Sequence, residues 1–223
     1  MNMPPLSPGL SWRLPPPVIP KEIATAPSGE DWIYEFLWGG ERIRAVKGEV
    51  GVSLTTRDGR NLCNRFPAVA AAVARLRAPS AVIDGEILLL DRGTPEMVRF
   101  LKRLCDDQRE ATVLFIAYDL LQRGEEDLRR YPLLGRRLLL AAMVQGTPIV
   151  LSPLYQGDAR AALSDAAILG VAGVVAKRAG STYQPNAVAR PWVKVTLPRA
   201  STRATRLDPP AATGHPPRAG GHI

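Results

Sequence analysis

Residues 32–56, WIYEFLWGGERIRAVKGEVGVSLTT, read as three short strands in succession. The runs 32–37, 41–47 and 50–56 are rich in β-branched and aromatic residues. They are separated by Gly39-Gly40 and by the segment Gly48 to Gly51, which suit tight turns. Three strands joined by such short turns make an antiparallel meander. Downstream the pattern changes. Residues 66–77 read as a helix with Pro67 in its first turn, and 81–90 as an apolar strand bent at Gly85. Residues 95–104, 133–145 and 158–169 read as helices; 112–121, 172–177 and 192–196 read as strands. Antiparallel neighbours early and interspersed helices later predict an α+β fold, with antiparallel sheets and flanking helices.

The ends differ from this body. Residues 1–20 hold seven prolines and read as an extended lead-in, with Trp12 and Trp32 placed to pin it to the body. Residues 198–223 hold five prolines and four arginines, lack an apolar period and read as a disordered basic tail. The domain is therefore expected to span 21–197. No run reaches the length of a membrane span, and the start lacks the charged and apolar regions of a secretory signal.

Composition excludes several chemistries. Of 223 residues, 46% are hydrophobic and 22% charged, enough for a packed core. Both histidines, His215 and His222, lie in the tail. The body therefore has no Ser-His-Asp or Cys-His machinery and no histidine-ligated metal. Two cysteines, Cys63 and Cys105, make neither a zinc cluster nor a disulfide framework; they read as reduced thiols in a cytoplasmic protein. The net charge of +8 favours a polyanion such as DNA.

Charges at strand ends mark a candidate cleft. Asp84-Gly85-Glu86 sits inside an apolar strand, Tyr118-Asp119 ends another, and Lys177 and Lys194 follow apolar runs. Arg42, Arg57, Lys177 and Lys194 would bind phosphates, Glu86 a ribose hydroxyl, and Tyr118 the flat face of a base. The alternative for the same residues is a set of ordinary strand-edge salt bridges.

The order of these groups resembles the nucleotidyltransferase (adenylation) domain of ATP-dependent DNA ligases, most of all the bacterial ligase D type. The family's E-x-K-x-D-G-x-R is met by Glu35-Phe36-Leu37-Trp38-Gly39-Gly40-Glu41-Arg42. Thr56-Arg57-Asp58-Gly59 with Arg65-Phe66-Pro67, then Asp84-Gly85-Glu86, Tyr118-Asp119-Leu120-Leu121 and Pro132-Leu133-Leu134-Gly135-Arg136-Arg137 follow in the family's order. Ala172-Gly173-Val174-Val175-Ala176-Lys177 and Trp192-Val193-Lys194-Val195-Thr196 complete it. The resemblance implies ATP as cofactor. Glu35 and Tyr118 would face adenine, Glu86 the ribose, and Arg42, Arg57 and Lys194 the ribose or phosphates. Arg136 and Arg137 are expected as a helix-surface pair.

The departures fall on the chemistry. The lysine that attacks the α-phosphorus is replaced by Leu37, which has no lone pair. Two carboxylates are replaced by Gly39 and Ala172, leaving Mg²⁺ poorly liganded, and a second phosphate-binding lysine by Thr196. No oligonucleotide-binding domain is expected in the segment after Thr196, so clamping of DNA would fall to another chain. The leading expectation is a ligase-like domain of DNA repair or recombination that does not form lysyl-AMP but keeps binding residues for nucleotide or DNA. One alternative is an active ligase using a displaced lysine such as Lys47, or a residue from a partner chain. Another is a non-catalytic module that binds DNA or a DNA-repair protein.

Overall fold

A computed structural model describes residues 17–104, 113–185 and 191–198. Trp12, Cys105 and almost all of the basic tail lie outside them. The chain folds as α+β. Strand β1 (Lys21–Glu22) is followed by β2 (Trp32–Phe36), β3 (Glu41–Gly48) and β4 (Gly51–Thr56), then helix α1 (Pro67–Ala74). Next come β5 (Ala81–Leu89), α2 (Pro95–Leu104), β6 (Val113–Arg123), β7 (Glu126–Asp127) and α3 (Leu133–Val144). The described chain continues with β8 (Val150–Leu151), β9 (Tyr155–Gln156), α4 (Ala159–Leu169), β10 (Gly173–Arg178) and β11 (Trp192–Thr196).

Two sheets result. One runs β1-β11-β10-β2-β9, the other β4-β3-β5-β6-β7 with β8 beside β6. Pairing is antiparallel except for β1 with β11 and β6 with β8. The first three long strands do not form one meander. Strand β2 joins β10, and only β3 and β4 make the hairpin. The Gly39-Gly40 segment is thus a crossing between sheets. Gly40 is required there, because a Cβ would strike the Ile87 carbonyl oxygen and Leu88. The bend expected at Gly85 appears as a register shift between Asp84 and Gly85 against β6.

Three apolar clusters hold these layers. One fills the space beneath β3, β4 and β5 with α1 and α3, through Leu54, Val73, Ile83 and Leu140. A second joins the first sheet to α2 and α4, through Tyr34, Phe36, Leu101 and Ala166. The third lies between the sheets, where Ile33 and Trp192 meet Val46, Val82 and Leu121, with Val18 and Tyr183 completing it. Val18 is buried and its N–H donates to the Tyr183 hydroxyl at 3.3 Å. Strand alternation explains this division: Ile33 and Glu35 of β2 face the inter-sheet space, while Tyr34 and Phe36 face the helices.

Candidate active site

Polar side chains line the same inter-sheet space. Glu35 is buried and sits between two cations, the Arg137 guanidinium and the Lys177 ammonium. Arg137 also donates to the carbonyls of Tyr118 (2.9 Å) and Ser152 (2.6 Å). Across the cleft Arg42 grips Asp84 through Nε and Nη2, each at 2.6 Å. The Tyr183 hydroxyl donates to the same carboxylate at 3.0 Å. Arg42 holds the Asp84 carboxyl below its ordinary pKa even though burial pushes the other way.

Glu86 is buried and accepts from the Tyr118 hydroxyl at 2.5 Å and from the Gly40 N–H. Burial raises the Glu86 pKa, with these two bonds opposing. Burial and the Glu86 charge raise the Tyr118 phenol further. Arg42 and Lys177 each lie 5.2 Å from the Tyr118 ring centroid, and Lys177 lies 4.3 Å from that of Trp192. Burial lowers the Lys177 pKa, and Glu35 opposes that shift. Replacing Tyr118 with phenylalanine removes a bond that favours the Glu86 carboxylate. The Glu86 pKa is expected to rise further, and stability to fall by about 1–3 kcal/mol. Carboxyl-carbon NMR titration and urea unfolding read the two effects.

Five of the seven expected binding residues therefore meet: Glu35, Arg42, Glu86, Tyr118 and Lys177. Two do not join them. Lys194 is two strands from Glu35 in the first sheet and pairs with Glu22 at 3.3 Å. Arg57 is exposed at the rim of an opening of about 340 Å³ that meets the site at Arg42. That opening is also lined by Pro17, Arg42, Arg44, Thr55, Thr56 and Asp84.

Arg136 and Arg137 overturn the expectation of a helix-surface pair. Arg136 is fully buried and binds Asp119 through two bonds of 2.8 and 2.7 Å. It also donates to the Ser181 carbonyl at 3.0 Å and to that of Tyr131. Together the two arginines of α3 fasten β6 of one sheet to β2 of the other. Their partners are distant in sequence, but the buried carboxylates Glu35 and Asp119 both demand cations. Sequence reasoning also missed Tyr183, which ties Val18 to Asp84, and Arg44. The signal for Arg44 was its spacing, two residues from Arg42 on one strand face.

Leu37 and Ala172, two positions where this sequence departs from the family motifs, lie side by side. The Leu37 N–H donates to the Gly173 carbonyl at 2.9 Å, and the Ala172 N–H donates to the Leu37 carbonyl at 3.0 Å. Lys47 is elsewhere. It is five residues along β3 from Arg42, roughly 16 Å at strand rise, and its Nζ donates to the Leu76 carbonyl at 2.7 Å.

Comparison with known proteins agrees with this geometry. Residues 18–196 match the family model described as "ATP dependent DNA ligase domain". The chain is 32% identical over 183 residues to the multifunctional non-homologous end joining protein LigD of Pseudomonas aeruginosa, covering 80% of this chain and 21% of that protein. It is 31% identical over 177 residues to a DNA ligase of Pyrobaculum calidifontis, covering 73% of this chain and 30% of the relative. A solved mycobacterial DNA ligase D, complexed with ATP and MES, superposes with a TM-score of 0.64 at 28% identity. That match covers 81% of this chain and 59% of the other. The chain thus spans about a fifth of the LigD relative, and over that span it belongs to the ATP-dependent DNA ligase family as a LigD-like adenylation domain.

Proposed function

We propose that this chain is a DNA-repair ligase-type domain that does not form a lysyl-AMP bond. One observation carries the reading: Leu37 stands where the family motif has its lysine, and an isobutyl group cannot attack phosphorus. The neighbouring lysines do not compensate. Lys47 points into the α1 end of the second sheet, Lys177 is buried on Glu35, and Lys194 pairs with Glu22 at the sheet edge. In-line attack needs reacting atoms within about 3–3.5 Å and a free amine, and each of these three amines is engaged by another partner. The names of the LigD relatives and the net charge of +8 support DNA as the partner, with a DNA-repair protein as a further candidate. The reading takes the protein to be cytoplasmic. No helix among the described residues is long and apolar enough to cross a membrane.

ATP and Mg²⁺ are what the family implies, and the residues present do not fit them well. A stacked adenine needs an open aromatic face and unpaired polar groups. Here Tyr118, Glu35, Glu86 and Lys177 are all buried and satisfied by one another. Gly39 and Ala172 offer no carboxylate, and among the described residues no group of three or more acidic, histidine or cysteine side chains is arranged around a metal. We therefore derive no step through either group.

Incubation with ATP labelled at the α-phosphate tests the reading. No covalent label is expected on the wild type, and none on Leu37→Lys, because positions 39 and 172 still lack carboxylates. Label mapped to any lysine of the wild type overturns the proposal. Label on Leu37→Lys alone shows that those carboxylates are dispensable.

A further inference from the structure

Helix α3 is turned inside out. Its only two charged residues, Arg136 and Arg137, are buried along with Leu133, Leu140, Met143 and Val144. Its outward stripe is Leu134, Gly135, Leu138, Ala141 and Ala142, which carries no charge. Leu138 is 73% exposed, more than any other large apolar side chain among the described residues. A surface helix ordinarily shows the reverse division, with its charges outward. A contiguous apolar face left toward solvent marks an interaction surface.

Shape and charge both point to the occupant of that stripe. Gly135 is not required by the fold of this chain, since a Cβ there would meet nothing within 4 Å. Glycine weakens a helix interior, and the space it leaves beside Leu138 admits the side chains of a neighbour. A second α3 laid antiparallel about a two-fold axis at Leu138 sets Leu134 opposite Ala142 and Gly135 opposite Ala141. Large meets small on both sides of the axis, so the stripe is complementary to itself, as an isologous contact requires. The last turn of α3 has no basic residue of its own, although a helix C-terminus favours a cation. Arg130, exposed just ahead of the other end of α3, is brought toward that C-terminus of the second copy by antiparallel packing. The carboxylates near Arg130 are engaged within their own copy, Asp127 by Arg129 and Glu126 by the Tyr131 hydroxyl.

We propose that the outer face of α3 is a self-association surface, on which a second copy of this chain seats its own α3 antiparallel about a two-fold axis at Leu138. The helix has 12 residues and is about 18 Å long. One such helix pair buries less than the roughly 1,200 Å² at which standard interfaces begin. The net charge of +8 on each copy also opposes approach. The dimer is therefore weak and forms at high protein concentration. It goes beyond the ligase-type reading and holds whether or not the chain forms lysyl-AMP.

Sedimentation equilibrium on the full chain, from about 10 μM to about 1 mM, tests it. The wild type is expected to pass from monomer toward dimer and no further. Leu138→Glu, which places two like charges at the axis, is expected to weaken the dimer by about tenfold or more. Val50→Glu adds the same charge at an exposed apolar position in the β3–β4 turn and is expected to leave the dimer unchanged. Gly135→Gln fills the space beside Leu138 and is expected to weaken the dimer while the melting temperature falls no lower. Because Leu138 meets its own copy, Leu138→Cys is expected to give a disulfide-linked dimer under mild oxidation faster than Val50→Cys does. The wild type serves as the blank for Cys63 and Cys105. Thermal unfolding confirms that each variant folds. A wild type that stays monomeric at the highest concentration leaves the face to some other partner and overturns the proposal. Equal effects of Leu138→Glu and Val50→Glu, growth past the dimer, or no faster cross-linking in Leu138→Cys than in Val50→Cys each overturn it as well.

Discussion

Arg136→Met is expected to destabilise the fold by about 3–5 kcal/mol, because it strands a buried carboxylate. Asp119 and Arg136 are both fully excluded from solvent and meet through two parallel hydrogen bonds. Removing the cation leaves Asp119 charged in an apolar strand, or forces it to take up a proton. Burial already raises the Asp119 pKa in the intact protein, with Arg136 opposing. In the variant that opposition is gone, so the carboxyl titrates higher still. The sign of the pH effect follows. A carboxyl whose folded pKa exceeds its unfolded value binds more protons when folded, so stability falls as pH rises through the interval between the two. The deficit of Arg136→Met should therefore be largest at neutral pH and shrink on acidification. The double variant Arg136→Met with Asp119→Leu should recover much of the loss, since an apolar pair of similar volume carries no stranded charge. Urea unfolding at two pH values gives all the required quantities. A loss under about 1 kcal/mol at neutral pH would mean that the pair does not fasten α3 to β6.

This same pair marks where the sequence stops being readable. Arg136 and Arg137 are adjacent, and adjacent arginines on a helix ordinarily point to water. Here Leu138 is the large residue of α3 left exposed, while both arginines turn inward. Their carboxylates lie 17 and 102 residues away, and no local pattern announces a partner at that distance. The clue was indirect: Glu35 and Asp119 sit inside strands that are otherwise apolar, and such carboxylates need cations. Strands β1, β7, β8 and β9 were illegible for a simpler reason. Two residues have no period. The longer strands and all four helices could be read because alternation and helical spacing persist over five or more residues. Their assignment to two sheets could not, since the Gly39-Gly40 segment reads as a hairpin turn and serves as a crossing. Among the candidate site residues, Glu35, Arg42, Glu86, Tyr118 and Lys177 could be grouped by motif order. What motif order did not reveal is that they satisfy one another.

Glu35→Ala is expected to cost about 3–5 kcal/mol or more at neutral pH, because it leaves two cations facing each other without their shared anion. Glu35 accepts from Arg137 and from Lys177, and both cations are buried. The two respond differently to its loss. Arginine stays protonated at any ordinary pH, whereas lysine releases its proton when burial makes the charge expensive. Burial already lowers the Lys177 pKa below its ordinary 10.5, and Glu35 is what opposes that shift. Without Glu35 the Lys177 pKa falls further. A base whose folded pKa lies below its unfolded value binds fewer protons when folded, so stability rises with pH across the interval between them. The loss in Glu35→Ala should therefore diminish steadily as pH is raised above neutrality, over a window that opens at lower pH than in the wild type. Glu35→Gln keeps an acceptor for one of the two donors and should lose less. Lys177→Met on the Glu35→Ala background removes the second cation and should flatten the alkaline recovery. Denaturant unfolding from pH 6 to about 9.5 follows the Lys177 titration. An alkaline recovery that persists in the Lys177→Met double variant would assign it to another group and dissolve the argument that Lys177 and Arg137 are held together by Glu35.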